Sequence, residues 1–368
     1  MAQDGVNLTL LINCLYIVLG LLYRRCALKH IYFEIRMLEL GKKFMYDYDE
    51  QREKIKRKRE KAVELLRAKQ NSETQKNLKK PDWFKIKLPG GDNYTDLKKN
   101  LRDNKIWTVC EEASCPNLTE CWDAKTATMM VLGGTCTRAC KFCHVDTGNP
   151  QGVVNEEEIA NAANMAKVMS LNYLVITSVD RDDLPDYGAS HFAKIIESVR
   201  EEHPSTLVEV LIPDFNGVEE HMLTLGRANP FVIAQNIETV NRLTHVVRDR
   251  RAGYEQTLNC LKFYKDNFPK ISTKTSVMVG LGETKEELIE CMDDLRAVDC
   301  DIITFGQYLR PTQRHLAVER YYHPDEFNEL KDIAYEKGFK FVASGPLVRS
   351  SYKAADYLKH LRDQGHEI

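Results

Sequence analysis

The stretch that decides the fold is residues 126–143, TATMMVLGGTCTRACKFC. Its first part, Ala127–Leu132, is a short apolar run with the length and composition of a buried β-strand. Gly133 and Gly134 then lead into a loop. Cys136, Cys140 and Cys143 follow at spacings of four and three, so this loop carries three thiols.

The sequence after residue 127 alternates short β-branched runs with longer amphipathic segments, which predicts βα units and a parallel sheet. Seven segments are strand candidates: Ala127–Leu132, Tyr173–Thr177, Leu207–Ile212, Phe231–Asn236, Thr273–Val279, Asp301–Phe305 and Phe339–Ala343. So few units in about 220 residues favour an α/β fold with an incomplete parallel (β/α)6-type barrel over a closed eight-stranded barrel. Active sites of such folds lie at the carboxyl ends of the strands. We therefore expect one cavity to be lined by the loops after Leu132, Thr177, Ile212, Asn236 and Val279.

Two helix starts carry a capping-box pattern, in which an Asn or Thr side chain and a Glu three residues later each bond the other's backbone. Asn155 with Glu158 predicts a helix to about Met169, and Thr284 with Glu287 predicts one to about Val298. Helices at these places would connect consecutive strands, as the βα pattern requires.

The three loop cysteines have the spacing of an iron–sulfur site. Three thiolates can hold one face of a [4Fe–4S] cube and leave one iron without a protein ligand, whereas such clusters normally take four cysteines. An open iron implies that a substrate or cofactor binds there. Structural zinc is the alternative, with His144 as the fourth ligand, although zinc sites usually show paired C-x2-C knuckles.

The chain of 368 residues has 11 cysteines, and six of them fall within residues 110–143. Uniform use as small buried residues would not give that clustering, and the total is too dilute for a disulfide scaffold. The second group has spacings of five and six, and taken alone it fits either zinc or three unrelated thiols: Cys110, Cys115 and Cys121. The remaining five are interpreted as buried small residues or lie near the amino terminus: Cys14, Cys26, Cys260, Cys291 and Cys300.

Residues 1–79 differ in composition from the rest of the chain. Val6–Tyr23 is an apolar run just long enough to span a bilayer, but three polar residues interrupt it. It is open to three interpretations: a membrane anchor, a diverged targeting segment, or translated sequence upstream of the true start. Residues 51–80 hold twelve Lys or Arg and four Asp or Glu, and the lack of aromatic residues favours a solvated helix or linker over a nucleic-acid arm. With 29% charged residues, the chain as a whole is neither a multi-span membrane protein nor wholly disordered.

The CxxxCxxC loop, with an aromatic residue before its last cysteine, resembles the signature of the radical S-adenosylmethionine (SAM) superfamily. Together with CEEASCPNLTECW at 110–122, it closely resembles the lipoyl synthases of that superfamily. The resemblance continues through TSVDRDDLP at 177–185, EVLIPDF at 209–215, AQNIETV at 234–240, FGQYLRPT at 305–312 and GPLVRSSY at 345–352. It covers about residues 81–360 and leaves out residues 1–79.

This resemblance implies two metal sites. One [4Fe–4S] cluster, which chelates SAM at its open iron, is held by Cys136, Cys140 and Cys143, with Phe142 packed over it. An auxiliary [4Fe–4S] cluster is held by Cys110, Cys115 and Cys121 together with Ser351, which is favoured over Ser350. A helix N-cap is the structural alternative for these serines, and one of them could serve each role.

The remaining implied site residues follow predicted strands. The expected SAM contacts are Thr177, Ser178, Asp180, Asn236, Glu238, Gly280 and Gly282. Arg310 and Arg349 could neutralise the SAM carboxylate or hold elements beside a cluster. Solvated loops, helix caps, a tight turn and surface ion pairs are the structural alternatives.

The resemblance implies a sulfurtransferase that inserts sulfur at C6 and C8 of an octanoyl group, which is amide-linked to a lysine of a carrier protein. Two SAM molecules are cleaved in turn to 5′-deoxyadenosyl radicals for each lipoyl group, and the auxiliary cluster donates the sulfur. No side chain beyond the cluster ligands need be catalytic, because the cofactors carry the chemistry. Two alternatives stay open: another radical SAM sulfur inserter, biotin-synthase-like or a methylthiotransferase, and a non-enzymatic zinc module.

The implied partners are an octanoylated glycine cleavage H protein or 2-oxoacid dehydrogenase E2 component, an electron donor such as ferredoxin or flavodoxin, and an Fe–S carrier protein. We expect no nucleic acid, and leave membrane association of the amino terminus open. Oxygen-sensitive clusters indicate a reducing compartment, a bacterial-type cytoplasm with mitochondria as the alternative. We divide the chain into an N-terminal extension (1–79), an auxiliary-cluster segment (80–126), a radical SAM partial barrel (127–345) and a C-terminal segment with the Arg-Ser-Ser-Tyr motif (346–368).

Overall fold

The computed structural model describes residues 78–84, 98–99, 108, 117–123, 126–352 and 354–365. All of them belong to one compact unit, Gln75–Ile368. Several residues discussed above lie outside the described residues: Val6–Tyr23, the basic residues 51–77, Cys14, Cys26, Cys110 and Cys115. Within the described ranges, every helix is too short or too polar to cross a membrane.

Nine strands are present in the described part of the chain. They are β1 (Thr126–Val131), β2 (Thr135–Cys136), β3 (Asp146–Thr147), β4 (Tyr173–Ser178), β5 (Leu207–Leu211), β6 (Val232–Ala234), β7 (Ser272–Val279), β8 (Ile302–Gln307) and β9 (Phe341–Gly345). Seven form a parallel sheet in the order β1-β4-β5-β6-β7-β8-β9, and β2 pairs with β3. All seven predicted strands are therefore confirmed.

In the described part of the chain, one α-helix precedes β1, and the others lie between strands or after the last one. They are α1 (Leu118–Asp123), α2 (Glu157–Val168), α3 (Ala189–Glu202), α4 (Glu219–Arg227), α5 (Thr244–Val247), α6 (Tyr254–Asn267), α7 (Lys285–Ala297), α8 (Pro324–Glu336) and α9 (Ala354–Asp363). Since β1 and β9 each pair with one neighbour in the main sheet, the parallel sheet is open, as an incomplete barrel requires. It has seven strands, one more than the six of the expected barrel type.

One of the two predicted capping boxes is confirmed and the other is wrong. At the start of α7, Thr284 and Glu287 bond each other's backbone as predicted. At the start of α2, Asn155 accepts from the amide of Glu157 at 3.1 Å, but no side-chain bond closes a capping box. The carboxylate of Glu158 is instead buried in the protein, where it binds a different part of the chain.

Alternate side chains of the strands point to the outer face of the sheet, where helices cover them. On the outer face, Leu174 and Ile176 of β4 pack in one core with Phe192 and Ile195 of α3. Each such fully buried side chain stabilises the fold by about 1.5–3 kcal/mol. A second core beneath α7 and α8 is built in the same way.

The helix α9 packs on the inner face of the sheet, at its amino end. Tyr173, at the start of β4, packs with Ala354, at the start of α9. Further along α9, Tyr357 packs with Val232, and its hydroxyl lies 2.9 Å from the Ser272 hydroxyl. Since these strand residues are at or near the amino ends, α9 covers that end of the sheet and leaves the carboxyl ends for the site.

Candidate functional site

The loop that carries the three cysteines leaves β1 through a strained turn. Leu132 has φ 64° and Gly133 has φ 82°, so both adopt the left-handed conformation that favours glycine. The buried carboxylate of Glu158 accepts hydrogen bonds from the amides of Leu132 (2.7 Å) and Gly133 (3.3 Å), and it lies 2.9 Å from Nε2 of His191. This explains the failed capping box: Glu158 holds the turn before Cys136.

The three thiols of this loop are half-buried. Burial is the main cause that raises the pKa of Cys136, Cys140 and Cys143 to about 11. Backbone amides nevertheless point at two of the sulfurs: Arg138 N lies 3.4 Å from Cys136 Sγ, and Asp249 N lies 3.3 Å from Cys140 Sγ. Such donors stabilise sulfur in its thiolate form, which is the form that binds iron.

The donor set fits an iron–sulfur cluster better than a single zinc ion. Structural zinc sites usually show paired C-x2-C knuckles and four protein ligands, whereas this loop supplies three cysteines. The ring of His144, the proposed zinc ligand, packs against the ring of His315, with centroids 5.7 Å apart. Three thiols, two of them with amide donors, are the ligands that a cube with one open corner needs.

Contacts from distant parts of the chain hold the loop in place. Ala139 N donates to the Asp249 carboxylate at 2.9 Å. His315 Nε2 lies 3.0 Å from the carbonyl oxygen of Cys143, so it donates to that carbonyl. The Arg138 guanidinium is buried and binds carboxylates that follow β4 and β5. None of these roles was predicted from the sequence, where the available signal was the acidic residues that directly follow strands.

Five of the predicted SAM contacts gather at the carboxyl ends of β4 and β6: Thr177, Ser178, Asp180, Asn236 and Glu238. Two of them carry buried oxygens without a hydrogen-bond partner among the described residues, Ser178 Oγ and Asn236 Oδ1. Buried polar atoms are normally paired, so these two indicate a missing polar ligand. SAM, with its amino, carboxylate and ribose groups, fits that requirement.

Two carboxylates close to the cysteines have a raised pKa. Burial is the main cause that raises the pKa of Asp180 to about 6, against the opposing effect of Arg138 at 3.3 Å. Burial also raises the pKa of Glu238, although Arg248 and a 3.0 Å bond from Asn236 Nδ2 oppose the rise. Glu238 has φ 68°, so its backbone is strained where it faces the site.

The predicted glycine contacts follow β7. Gly280 and Gly282 have φ 96° and φ 102°, as the predicted tight turn requires. A Cβ on Gly280 would lie 2.1 Å from Gln307 Nε2 and 2.5 Å from the Arg320 carbonyl oxygen. The chain itself fills the space beside Gly280, so this glycine is needed for packing as well as for the turn.

Three other residues singled out in the sequence have protein partners here. Arg310 donates to the carbonyl oxygens of Thr312 (3.1 Å) and His315 (2.9 Å), and thereby shapes its own loop. Arg349 donates to the carbonyl oxygen of Val348 at 2.8 Å. Phe142 packs at the edge of the second core.

The segment with the Arg-Ser-Ser-Tyr motif lies against the helix that carries Cys121. Asn117 Nδ2, just before α1, donates to the carbonyl oxygen of Leu347 at 2.6 Å. The Tyr352 hydroxyl donates to Glu120 in α1 at 2.8 Å. Cys121 and the half-buried Ser350 and Ser351 therefore lie within segments that these two bonds join. Of the scattered cysteines, Cys260, Cys291 and Cys300 are buried, as expected.

Comparison with known proteins decides the family. The sequence profile of the radical SAM superfamily matches residues 130–295, and that of the N-terminal domain of lipoyl synthase matches residues 37–115. A lipoyl synthase from Ectopseudomonas mendocina is 54% identical over 275 residues, which cover 75% of this chain and 79% of the relative. One from Marinobacter nauticus is 52% identical over 290 residues, which cover 79% and 83%. The chain belongs to the lipoyl synthase family.

Lipoyl synthases are sulfurtransferases, and this enzyme makes lipoyl groups with SAM and a [4Fe–4S] cluster. The relatives give no support to a biotin-synthase-like enzyme or a methylthiotransferase. The match of the lipoyl synthase N-terminal domain begins at residue 37, so the resemblance extends further towards the amino terminus than the motifs indicated. Among solved structures, methylornithine synthase matches with a TM-score of 0.44 and 12% identity, covering 74% of this chain and 93% of that chain.

Proposed function

We propose that this lipoyl synthase takes both sulfur atoms from an auxiliary [4Fe–4S] cluster held by Cys110, Cys115, Cys121 and Ser351. The observation that carries the proposal is the pair of bonds, Asn117 to Leu347 and Tyr352 to Glu120, across residues more than 200 positions apart. These bonds hold the serine-bearing segment beside the helix of one ligand cysteine. Cys110 and Cys115 enter the proposal from the sequence.

The approach of the C-terminal segment to the sheet supports the same proposal. Gly306 near the end of β8 has no side chain, and a Cβ there would lie 2.2 Å from the carbonyl oxygen of Val348. The glycine therefore lets the segment lie directly on the carboxyl end of the sheet, where the cysteine loop also lies. A hydroxyl oxygen is a harder ligand than a thiolate, so Ser351 would be the ligand most easily released when the cluster gives up sulfur.

The described residues have distinct tasks in this reaction. Cys136, Cys140 and Cys143 hold the SAM-binding cluster, and Ser178 and Asn236 orient SAM through their unpartnered oxygens. Bound at these sites, the two clusters and SAM supply the reducing electron, the hydrogen-abstracting radical and the sulfur. The octanoyl group reacts twice, at C6 and C8, which requires two SAM molecules per lipoyl group.

We further propose the partners that this chemistry needs. The substrate is an octanoylated carrier, the glycine cleavage H protein or a 2-oxoacid dehydrogenase E2 component. A ferredoxin or flavodoxin supplies electrons, and an Fe–S carrier protein restores the auxiliary cluster. Because oxygen-sensitive clusters need a reducing compartment, the proposed location is a bacterial-type cytoplasm, with mitochondria as the alternative.

The experiment that tests the auxiliary cluster is iron and sulfide analysis after anaerobic reconstitution. Two four-iron cubes predict about eight irons in the wild type and about four in a Cys110→Ala/Cys115→Ala/Cys121→Ala variant. The variant should still cleave SAM but should form no lipoyl product. Cys260→Ala is the matched control, because Cys260 is a buried cysteine in α6. Equal iron content in the wild type and the triple variant would overturn the proposal.

A further inference from the structure

Arg138 lies between two ligand cysteines of the SAM-binding loop and is buried, with 3% of its surface exposed. Its guanidinium binds two carboxylates at once. Both terminal nitrogens donate to Asp214 at 2.7 Å, while Nη2 donates to Asp182 at 2.9 Å and Nε at 3.2 Å. A third carboxylate, that of Asp180, forms an ion pair with Nη1 at 3.3 Å.

These carboxylates belong to different strand ends. Asp182 follows β4, and its side chain also accepts from Thr137 Oγ1 at 2.6 Å. Asp214 follows β5, is itself buried, and accepts from the amide of Asn216 at 3.0 Å. A bidentate guanidinium–carboxylate pair fixes orientation as well as distance. Two such pairs on one side chain leave Arg138 little freedom to rotate.

The backbone of the same residue reaches a cluster ligand. Arg138 N donates towards Cys136 Sγ at 3.4 Å. Hydrogen bonds to cluster sulfurs are one of the factors that set the reduction potential of an iron–sulfur cluster. The guanidinium anchors the residue and the amide points at the sulfur, so the carboxylates after β4 and β5 determine where that N–H points.

We propose that Arg138 is a positioning residue for the SAM-binding cluster, which acts by holding its own amide against the Cys136 sulfur. The side chain touches neither the cluster nor SAM in this proposal. It holds the cysteine loop in its conformation before the cluster binds. Once the cluster is bound, it determines the strength of one N–H···S hydrogen bond. Partners that orient metal ligands typically change metal affinity or activity by about 10–100-fold when they are mutated.

The test compares Arg138→Lys with Arg181→Lys in the full-length enzyme. Lysine keeps the positive charge in both variants but loses the bidentate geometry. Arg181 is the matched control: it is 1% exposed, binds Asp183 through two nitrogens at 2.8 and 2.9 Å, and donates to the Leu132 carbonyl. It therefore contacts the turn at Leu132 but none of residues 136–143, so the two variants separate an effect on that turn from an effect on the cysteine loop itself. Each protein is assayed for iron content, for thermal unfolding of its apo form, and for the midpoint potential of the cluster whose paramagnetic resonance signal shifts when SAM is added.

The two variants should unfold at similarly lowered temperatures, because each leaves buried carboxylates poorly paired. Only Arg138→Lys should bind less iron at this cluster or give it a more negative potential, with SAM cleavage slowed about tenfold. Asp214→Asn, which changes the partner that lies away from the cysteines, should shift the potential in the same direction. Wild-type iron content and potential in Arg138→Lys, or an equal shift in Arg181→Lys, would show that Arg138 stabilises the fold only.

Discussion

The Tyr352 hydroxyl donates a 2.8 Å hydrogen bond to Glu120, a residue 232 positions earlier in the chain. Tyr352→Phe removes that bond and leaves the ring in place. Because the pair is at the surface, we expect a loss of only about 0.5–1 kcal/mol in the free energy of unfolding, measured in urea. We also expect less iron to be retained at the auxiliary cluster. Tyr321→Phe is the control, because Tyr321 is half-buried and its ring contacts Phe84. Equal loss of iron in the two variants would show that the Tyr352–Glu120 bond does not help to hold the auxiliary cluster.

Ser350 and Ser351 are adjacent, and their alanine variants show which of the two serines is the cluster ligand. We expect Ser351→Ala to cleave SAM at the wild-type rate but to form lipoyl product at least about tenfold more slowly, since a cluster ligand is lost. Ser350→Ala should form product at close to the wild-type rate. Both 5′-deoxyadenosine and lipoyl product are measured by mass spectrometry. The opposite ranking would assign the ligand to Ser350. Wild-type rates of lipoyl formation in both variants would show that neither serine is a cluster ligand.

Gly306→Ala tests the close approach of the C-terminal segment. The added methyl group would meet the carbonyl oxygen of Val348 at 2.2 Å, so the segment must move away from β8. We expect destabilisation of about 1–3 kcal/mol in denaturant unfolding and a lower iron content. Gly134→Ala is the control in the cysteine loop, because the nearest atom to its added Cβ is Met130 Cε at 3.9 Å. Equal behaviour of the two variants would contradict the steric argument.

Glu158→Gln tests the turn that leads into the cysteine loop. The amide has one acceptor oxygen where the carboxylate has two, so it cannot accept from Leu132, Gly133 and His191 as the carboxylate does, and these bonds weaken. We expect a loss of about 1–3 kcal/mol in the free energy of unfolding of the apo protein. Glu157→Gln, at the exposed neighbouring position of α2, should change it by less than about 0.5 kcal/mol.

Asp301 gives the protein an acid-sensitive ion cluster far from the cysteines. Burial alone would raise its pKa, but bonds from Lys265 (2.5 Å), Lys340 (2.8 Å) and the Thr273 amide (2.9 Å) lower it overall. An acid with a lowered pKa in the fold stabilises the protein above its unfolded pKa, and that contribution is lost as pH falls through the folded value.

We therefore expect Asp301→Asn to cost about 2 kcal/mol at pH 7, a figure kept low because Lys340 is largely exposed. The difference in free energy of unfolding between the variant and the wild type should become smaller as the pH falls below 3.8, the ordinary pKa of aspartate. Urea unfolding of the apo protein at several pH values measures both. Asp299→Asn, two residues earlier and exposed, should show no such trend; a gap independent of pH would contradict the assignment.

The strands were predictable because their signal is local. Each is a short run of mostly apolar or β-branched residues, and the carboxyl end of a parallel strand then places the next polar residue near the site, as for Ser178 and Asn236. The capping box of Thr284 and Glu287 was predictable for the same reason, since both partners lie within one helical turn.

The contacts that hold the cysteine loop could not be predicted, because they join residues that are distant in sequence. Glu158 fits a capping box by spacing, but Leu132 and His191 compete for its carboxylate and bind it in the core. Arg138 looks like an ordinary loop residue until β4 and β5 bring Asp182 and Asp214 to it. No local pattern specifies such contacts, because they exist only after the sheet has formed.

The joining of α1 to the segment around Tyr352 has a consequence for how the enzyme is made. Leu347 and Tyr352 leave the ribosome after all nine strands, whereas Asn117 and Glu120 emerge before β1. Translation must therefore be almost finished before the helix that carries Cys121 meets its partner. For the auxiliary cluster proposed above, the nascent chain would have to keep its early cysteines reduced and free of other metals for that whole interval, so the proposed sulfur-donor site would be loaded only in the completed polypeptide.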